Sequence, residues 1–142
     1  MAERKPYRVL DHTADIGLEA HGQTLRKLFE NAAAGFYALL VKGGDVRTRQ
    51  TVELSIRAHD IEALFVRFLQ ELNYLYQTQR LVGGRVEVHN IEERTLHASV
   101  RGETLDPQRH TVLRDIKAVT YHGLTLKKVR KKSWKATVLF DV

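Results

Sequence analysis

Asp11, His12, Thr13 and Asp15 crowd two carboxylates, an imidazole and a hydroxyl into one short stretch, with Val9 and Leu10 before it and Ile16 and Leu18 after it. A strand pattern runs into this polar knot and out again, which puts oxygen ligands where a sheet can hold them still. Calcium and magnesium favour carboxylate, carbonyl and water oxygens. Asp15 could supply such oxygens, and so could Asp141 and the terminal carboxylate of Val142 at the far end of the chain. Spacing alone does not bring residue 15 to residue 142. The residues therefore leave two readings: a divalent-metal site, or Asp15 as a turn-former with Asp141 as a solvated edge charge. Asp11 is a local alternative to Asp15, and its side chain could instead bond the turn backbone, as Asx residues do. His12, flanked by carboxylates, is expected to have a raised pKa.

Other chemistries find less support. With no cysteine, thiolate metal sites and thiol nucleophiles are excluded, and a reducing compartment is consistent with that. His12, His21, His59, His89, His97, His110 and His122 include no His-x-x-x-His pair, so zinc is not indicated. There is no Gly-x-Ser-x-Gly, and Ser55, Ser99 and Ser133 lie in strand or turn contexts with no base nearby in sequence. A hydrolase using Asp11 and Asp15 as paired carboxylates is conceivable, but so small a chain implies no large cleft. The one dense basic run is Lys127-Lys128-Val129-Arg130-Lys131-Lys132. Lys128, Arg130 and Lys131 are candidate contacts to phosphate or to a partner, against the plainer reading of a solvated hairpin tip. Trp134 beside them invites stacking on a base, although its alternation argues for the core.

The elements that must position these residues follow from periodicity. Residues 7–11 and 15–21 read as two short strands around the knot. Thr24 is a candidate N-cap for a helix whose stripe runs Leu25, Leu28, Phe29, Ala32, Phe36, Leu39 and Leu40. Gly43-Gly44 is expected to end it, with Lys42 beside its C-terminal dipole. Val52, Leu54, Ile56 and Ala58 alternate as a half-buried strand. Asp60 then caps a second helix with a stripe of Ile61, Leu64, Phe65, Phe68, Leu69, Leu72 and Leu75, flanked by Tyr74 and Tyr76. Gly83-Gly84 reads as a turn, and strands are expected over 85–89, 95–101, 116–121, 124–129 and 134–140. The polar segment 102–114 reads as a long loop, and 90–94 and 130–133 as hairpin turns. The predicted class is α+β: a largely antiparallel sheet with two helices packed on one face, in a single domain over residues 1–142.

The 142 residues fit that single domain and can bury a core without disulfide or zinc. No run approaches the roughly 20 apolar residues of a membrane span, and Met1 to Pro6 lack the apolar segment of a signal peptide, so a cytoplasmic protein with no membrane partner is expected. The net charge of +6 raises the expectation of an anionic partner, RNA or an acidic surface.

Asp11-His12-Thr13-Ala14-Asp15-Ile16-Gly17-Leu18, followed by Gly22-Gln23-Thr24-Leu25 and Leu28-Phe29, closely resembles the opening of the archease family. Lys117-Ala118-Val119-Thr120-Tyr121-His122 resembles a second family stretch, and the ending in aspartate plus an aliphatic residue a third. The resemblance covers essentially the whole chain. It implies a small cytosolic α+β protein that assists an RtcB-type RNA ligase, which joins RNA ends in tRNA splicing using GTP and manganese. Archeases promote guanylylation of the ligase, allow multiple turnover and broaden its nucleotide use, and are not known to catalyse a reaction alone. The resemblance also implies a divalent ion, described as calcium, on the aspartate of the Thr-Ala-Asp motif, the penultimate aspartate and the terminal carboxylate: here Asp15, Asp141 and Val142. Asp11, His12 and Thr13 would then support that site or touch the partner. The competing expectation is a basic RNA-binding module acting on tRNA through Lys128, Arg130 and Lys131, or a chaperone, which would need an exposed apolar patch.

Overall fold

The computed structural model describes residues 6–11, 15–43 and 45–142, the side chain of Asp11 excepted. The elements run β1 (Tyr7–Asp11), β2 (Asp15–Gly22), α1 (Leu25–Leu40), β3 (Val41–Gly43), β4 (Gln50–Arg57), α2 (Ile61–Gln79), β5 (Leu81–Ile91), β6 (Thr95–Thr104), β7 (His110–Val112), β8 (Ala118–Arg130) and β9 (Ser133–Asp141). The expected class stands: two helices, and strand pairings that are all antiparallel. The strands divide into a four-stranded sheet in the order β1-β2-β9-β8, a three-stranded sheet β4-β6-β5 and a β3-β7 pair. Each helix touches both larger sheets: α1 packs on β2 and β5, and α2 on β8 and β4.

Both helices begin where local chemistry says they should. The Thr24 hydroxyl accepts from the Lys27 N–H at 3.0 Å, and the Asp60 carboxylate accepts from the Ala63 N–H at 2.7 Å. The apolar stripes fill one core. Phe29 of α1 meets Phe65 of α2 edge-on at 5.1 Å, and Phe36 of α1 meets Phe140 of β9 at 6.0 Å. Burying each such ring is worth roughly 1.5–3 kcal/mol. At Gly35 a Cβ would lie 2.7 Å from Leu18 Cδ1, so the missing side chain lets α1 settle closely on β2. Tyr76 joins the core, whereas Tyr74 is exposed.

Several boundaries differ from expectation. The first helix stops at Leu40, not at Gly43-Gly44, because Val41 turns extended and pairs with Val112. Lys42 therefore lies in β3, and the last turn of α1 holds no basic residue. The C-terminal carbonyls are met from elsewhere in the chain: Leu113 N–H donates to the Leu40 carbonyl at 2.8 Å, and the Arg114 guanidinium donates to that of Leu39 at 2.5 Å. Gly83-Gly84 is no turn but lies inside β5, where the register shifts between Gly83 and Arg85. A Cβ on Gly83 would lie 2.5 Å from the Tyr37 ring, so close packing rather than chain reversal calls for glycine there. The expected loop 102–114 holds the end of β6 and all of β7. Likewise 116–121 and 124–129 belong largely to one strand, β8, which bulges between Thr120 and Thr125 around Gly123 at φ 68°.

Candidate functional site

The register of β2 on β9 sets Asp15 directly opposite Asp141. Opposed residues on antiparallel strands point to the same face, with Cβ atoms roughly 4.5–5.5 Å apart. All four strands of this sheet meet at the same end. β1 ends at Asp11, which pairs with Ile16, and β8 begins at Ala118, which pairs with Asp141. The Lys117 N–H donates to the Asp141 carbonyl at 2.8 Å and ties the end of β9. Asp15 is half-buried, while Asp141 and Val142 are exposed. Positions 15, 141 and 142 are thus gathered at one tip, as the metal expectation requires. His12, Thr13 and the Asp11 side chain lie outside the described residues, and with them the expected raised pKa of His12.

Two carboxylates directly opposed repel, and that arrangement is unfavourable unless a cation lies between them. Their donor set is all oxygen, which suits a hard divalent ion. Among the described residues no three His, Asp or Glu side chains converge. The terminal carboxylate one residue beyond Asp141 has the right chemistry. The residues present therefore fit a calcium-like ion.

The basic candidates lie at the other end of the same sheet. β9 spans nine residues from Ser133 to Asp141, which sets its ends roughly 26 Å apart at about 3.3 Å per step. Lys128 pairs with Trp134, and Arg130 with Ser133, so Lys131-Lys132 form the tip of the β8–β9 hairpin. Lys128 Nζ sits 5.9 Å from the centroid of the Trp134 ring. Trp134 is half-buried, packed against the edge of the core. Together with Lys128, Lys131, Lys132, Arg26 and Ile91 it lines an open groove of about 520 Å³, whereas Arg130 does not line it.

Three polar clusters escaped sequence reasoning, because register and not proximity in the chain assembles them. Glu19, buried at 8% exposure, bonds Arg8 at 2.7 Å and His21 at 2.8 Å, with Lys135 at 3.7 Å. Burial alone would raise its pKa. The bonds from Arg8 and His21 and the charge of Lys135 outweigh that together and hold it below the ordinary carboxylate value. Glu103 accepts from the Arg47 N–H at 2.5 Å and pairs with Arg109; the backbone bond is the main cause of its lowered pKa. On the outer face of the three-stranded sheet, Ser99 donates to Glu53 at 2.9 Å while His89 Nε2 approaches its hydroxyl at 2.5 Å. Ser99 thus has a base within reach after all, through its pairing with Glu53. It is only 3% exposed, and its one proton already points at a carboxylate, so His89 is not placed to remove it. The trio is a cross-strand polar network, not a nucleophile.

Residues 7–142 match the Archease protein family (MTH1598/TM1083). The chain is 36% identical to the protein archease of Methanosarcina acetivorans, covering 99% of each chain. It is 35% identical to that of Thermococcus kodakarensis, over 93% of this chain and 95% of the relative. Among solved structures, Methanobacterium thermoautotrophicum protein 1598 superposes with a TM-score of 0.81 at 25% identity, over 98% of this chain and 100% of that one. A Thermotoga maritima archease described as a possible chaperone shares the fold, with a TM-score of 0.63 at 22% identity, over 100% of this chain and 99% of that one.

Proposed function

Because the chain belongs to the archease family, we propose that it is a non-enzymatic activator of an RtcB-type RNA ligase in tRNA splicing, working through the acidic tip. The observation that carries this reading is the placement of Asp15 opposite Asp141 at the end of the four-stranded sheet. Asp15, Asp141 and the Val142 carboxylate would hold a divalent ion, calcium by preference. Such an ion would supply positive charge to offset the repulsion of the opposed carboxylates. The chain's own contribution is positional. β2 and β9 hold the two aspartates on one face, and the Lys117 N–H anchors the last strand residue. The exposed Asp141 and Val142 would present oxygens to the ligase centre, where metal and triphosphate must be aligned for guanylylation. Asp11, His12 and Thr13 would support the tip or touch the ligase. The setting is cytoplasmic in this proposal; no described helix is long and apolar enough to cross a membrane.

A multiple-turnover ligation assay with limiting ligase tests this. The unaltered chain should restore turnover, while Asp141→Ala and a short C-terminal extension should each lose most of the stimulation without losing the fold. Full stimulation by both altered forms would remove the acidic tip from the mechanism.

A further inference from the structure

At the end of the sheet away from the acidic tip, we propose that the groove between the β8–β9 hairpin and the start of α1 binds a short single-stranded RNA segment, with a base on Trp134 and phosphates on the surrounding cations. The geometry supplies what such a ligand needs. Lys128, Lys131, Lys132 and Arg26 line the groove, and none of the described residues lining it is acidic. A groove that gathers four cations without a carboxylate is complementary to a phosphodiester chain.

The aromatic platform favours an unpaired base. Trp134 packs against the core edge, and the cation over its ring is the exposed Lys128, whose ammonium can move to a phosphate. Bases already stacked in a duplex gain nothing from such a platform, whereas splayed bases of a single strand stack on it whatever their sequence. Arg26, exposed and lining the groove, is held in place by donating to the His89 carbonyl at 2.9 Å, and its guanidinium carries further N–H donors. The exposed Gln23 amide at the groove edge both donates and accepts, as the ribose 2′-hydroxyl does.

Helix stability does not account for this charge. The first turn of α1 contains Arg26 and Lys27 and no acidic residue. Cations there oppose the positive end of the helix dipole, where Asp or Glu would be stabilising. Lys27 is offset within the helix by Glu30 at 3.6 Å, whereas Arg26 lines the groove, where an anion would benefit from both its charge and the dipole.

Trp134 is the sole tryptophan of the chain, so its emission reports the groove directly. The full chain should be titrated at low salt with a short mixed-sequence oligoribonucleotide, with an abasic phosphodiester of equal length, with the deoxy oligomer and with a polyglutamate peptide. The RNA should quench the emission; the abasic chain should bind several-fold more weakly without quenching, and the deoxy oligomer should bind at least threefold more weakly than the RNA. Log affinity should fall with log salt with a slope near −3, at about −0.7 per phosphate. Lys131→Glu with Lys132→Glu should weaken binding about tenfold or more with melting unchanged, since both residues are exposed hairpin-tip positions. Arg57→Glu with Arg67→Glu, exposed sites on β4 and α2, makes the same net-charge change and should cost less than threefold. Asp141→Asn should leave RNA binding intact, which separates this site from the ligase-activating tip. Absence of quenching, equal losses in the two double variants, equal binding of the deoxy oligomer, or polyglutamate binding as tight as RNA would each overturn the proposal.

Discussion

Asp15 and Asp141 face one another across two strands, and their mutual repulsion gives a prediction that needs no ligase. In the presence of a chelator, Asp141→Asn should raise stability by about 0.2–1 kcal/mol, because it removes a like-charge pair. Adding calcium should reverse the order. The unaltered chain should gain about 2.7 kcal/mol at a hundred times its dissociation constant, seen as a melting temperature higher by several degrees, while Asp141→Asn should gain little. Equal calcium shifts in both proteins would place any ion elsewhere. The two aspartates were visible as candidates from their residue type and from family resemblance. Their partnership was not, because 126 positions separate them in the chain and only the β2–β9 register closes that distance.

At the scale of elements, the helices were legible because their signals are local. A cap bond spans three residues and an apolar stripe repeats every three or four. Removing the cap of α2 by Asp60→Ala should therefore cost about 1 kcal/mol in a denaturant melt. A cost near zero would mean that the Asp60–Ala63 bond contributes nothing in solution. Glycine pairs were the misleading signal. Gly83-Gly84 has the composition of a turn, yet it lies in a bulged strand under the ring of Tyr37. Gly83→Ala should cost about 1–3 kcal/mol by overpacking that ring, and the double variant Gly83→Ala with Tyr37→Leu should recover part of the loss. Were Gly83 a free turn residue, the alanine would be tolerated on its own. The helix stop at Leu40 was equally invisible, since β7, about 70 residues later, supplies the partner that draws Val41 into a strand.

For the whole molecule, two buried carboxylates join segments far apart in the chain. Glu19 links β1, β2 and β9 through Arg8, His21 and Lys135. Glu103 links β6 to the segment before β4 and to Arg109. Both have native pKa values below the ordinary 4.5. Lowered carboxyl pKa values mean that the unfolded state binds protons first. The stability they contribute is present above about pH 4.5 and is lost as pH falls through their lower native values. Melting temperature should thus fall steeply below that pH. Glu19→Gln and Glu103→Gln should each be less stable at neutral pH but show a shallower acid decline. An unchanged acid slope in both variants would assign acid unfolding to other groups.

By itself the sequence determined the two helices, their N-caps, most of the strands and the α+β class, because each depends on periodicity or on contacts within a few residues. It also singled out Asp15, Asp141 and the basic run as chemically notable. Only the tertiary structure decided which residues act together. Antiparallel register brings Asp15 to Asp141, and the β8–β9 hairpin folds Trp134 and its lysines against the start of α1. The same sheet holds these two clusters at opposite ends, because β9 runs the full length between them. A one-residue slip in that register would turn Asp15 and Asp141 to opposite faces, and no local pattern encodes which of the two pairings is formed.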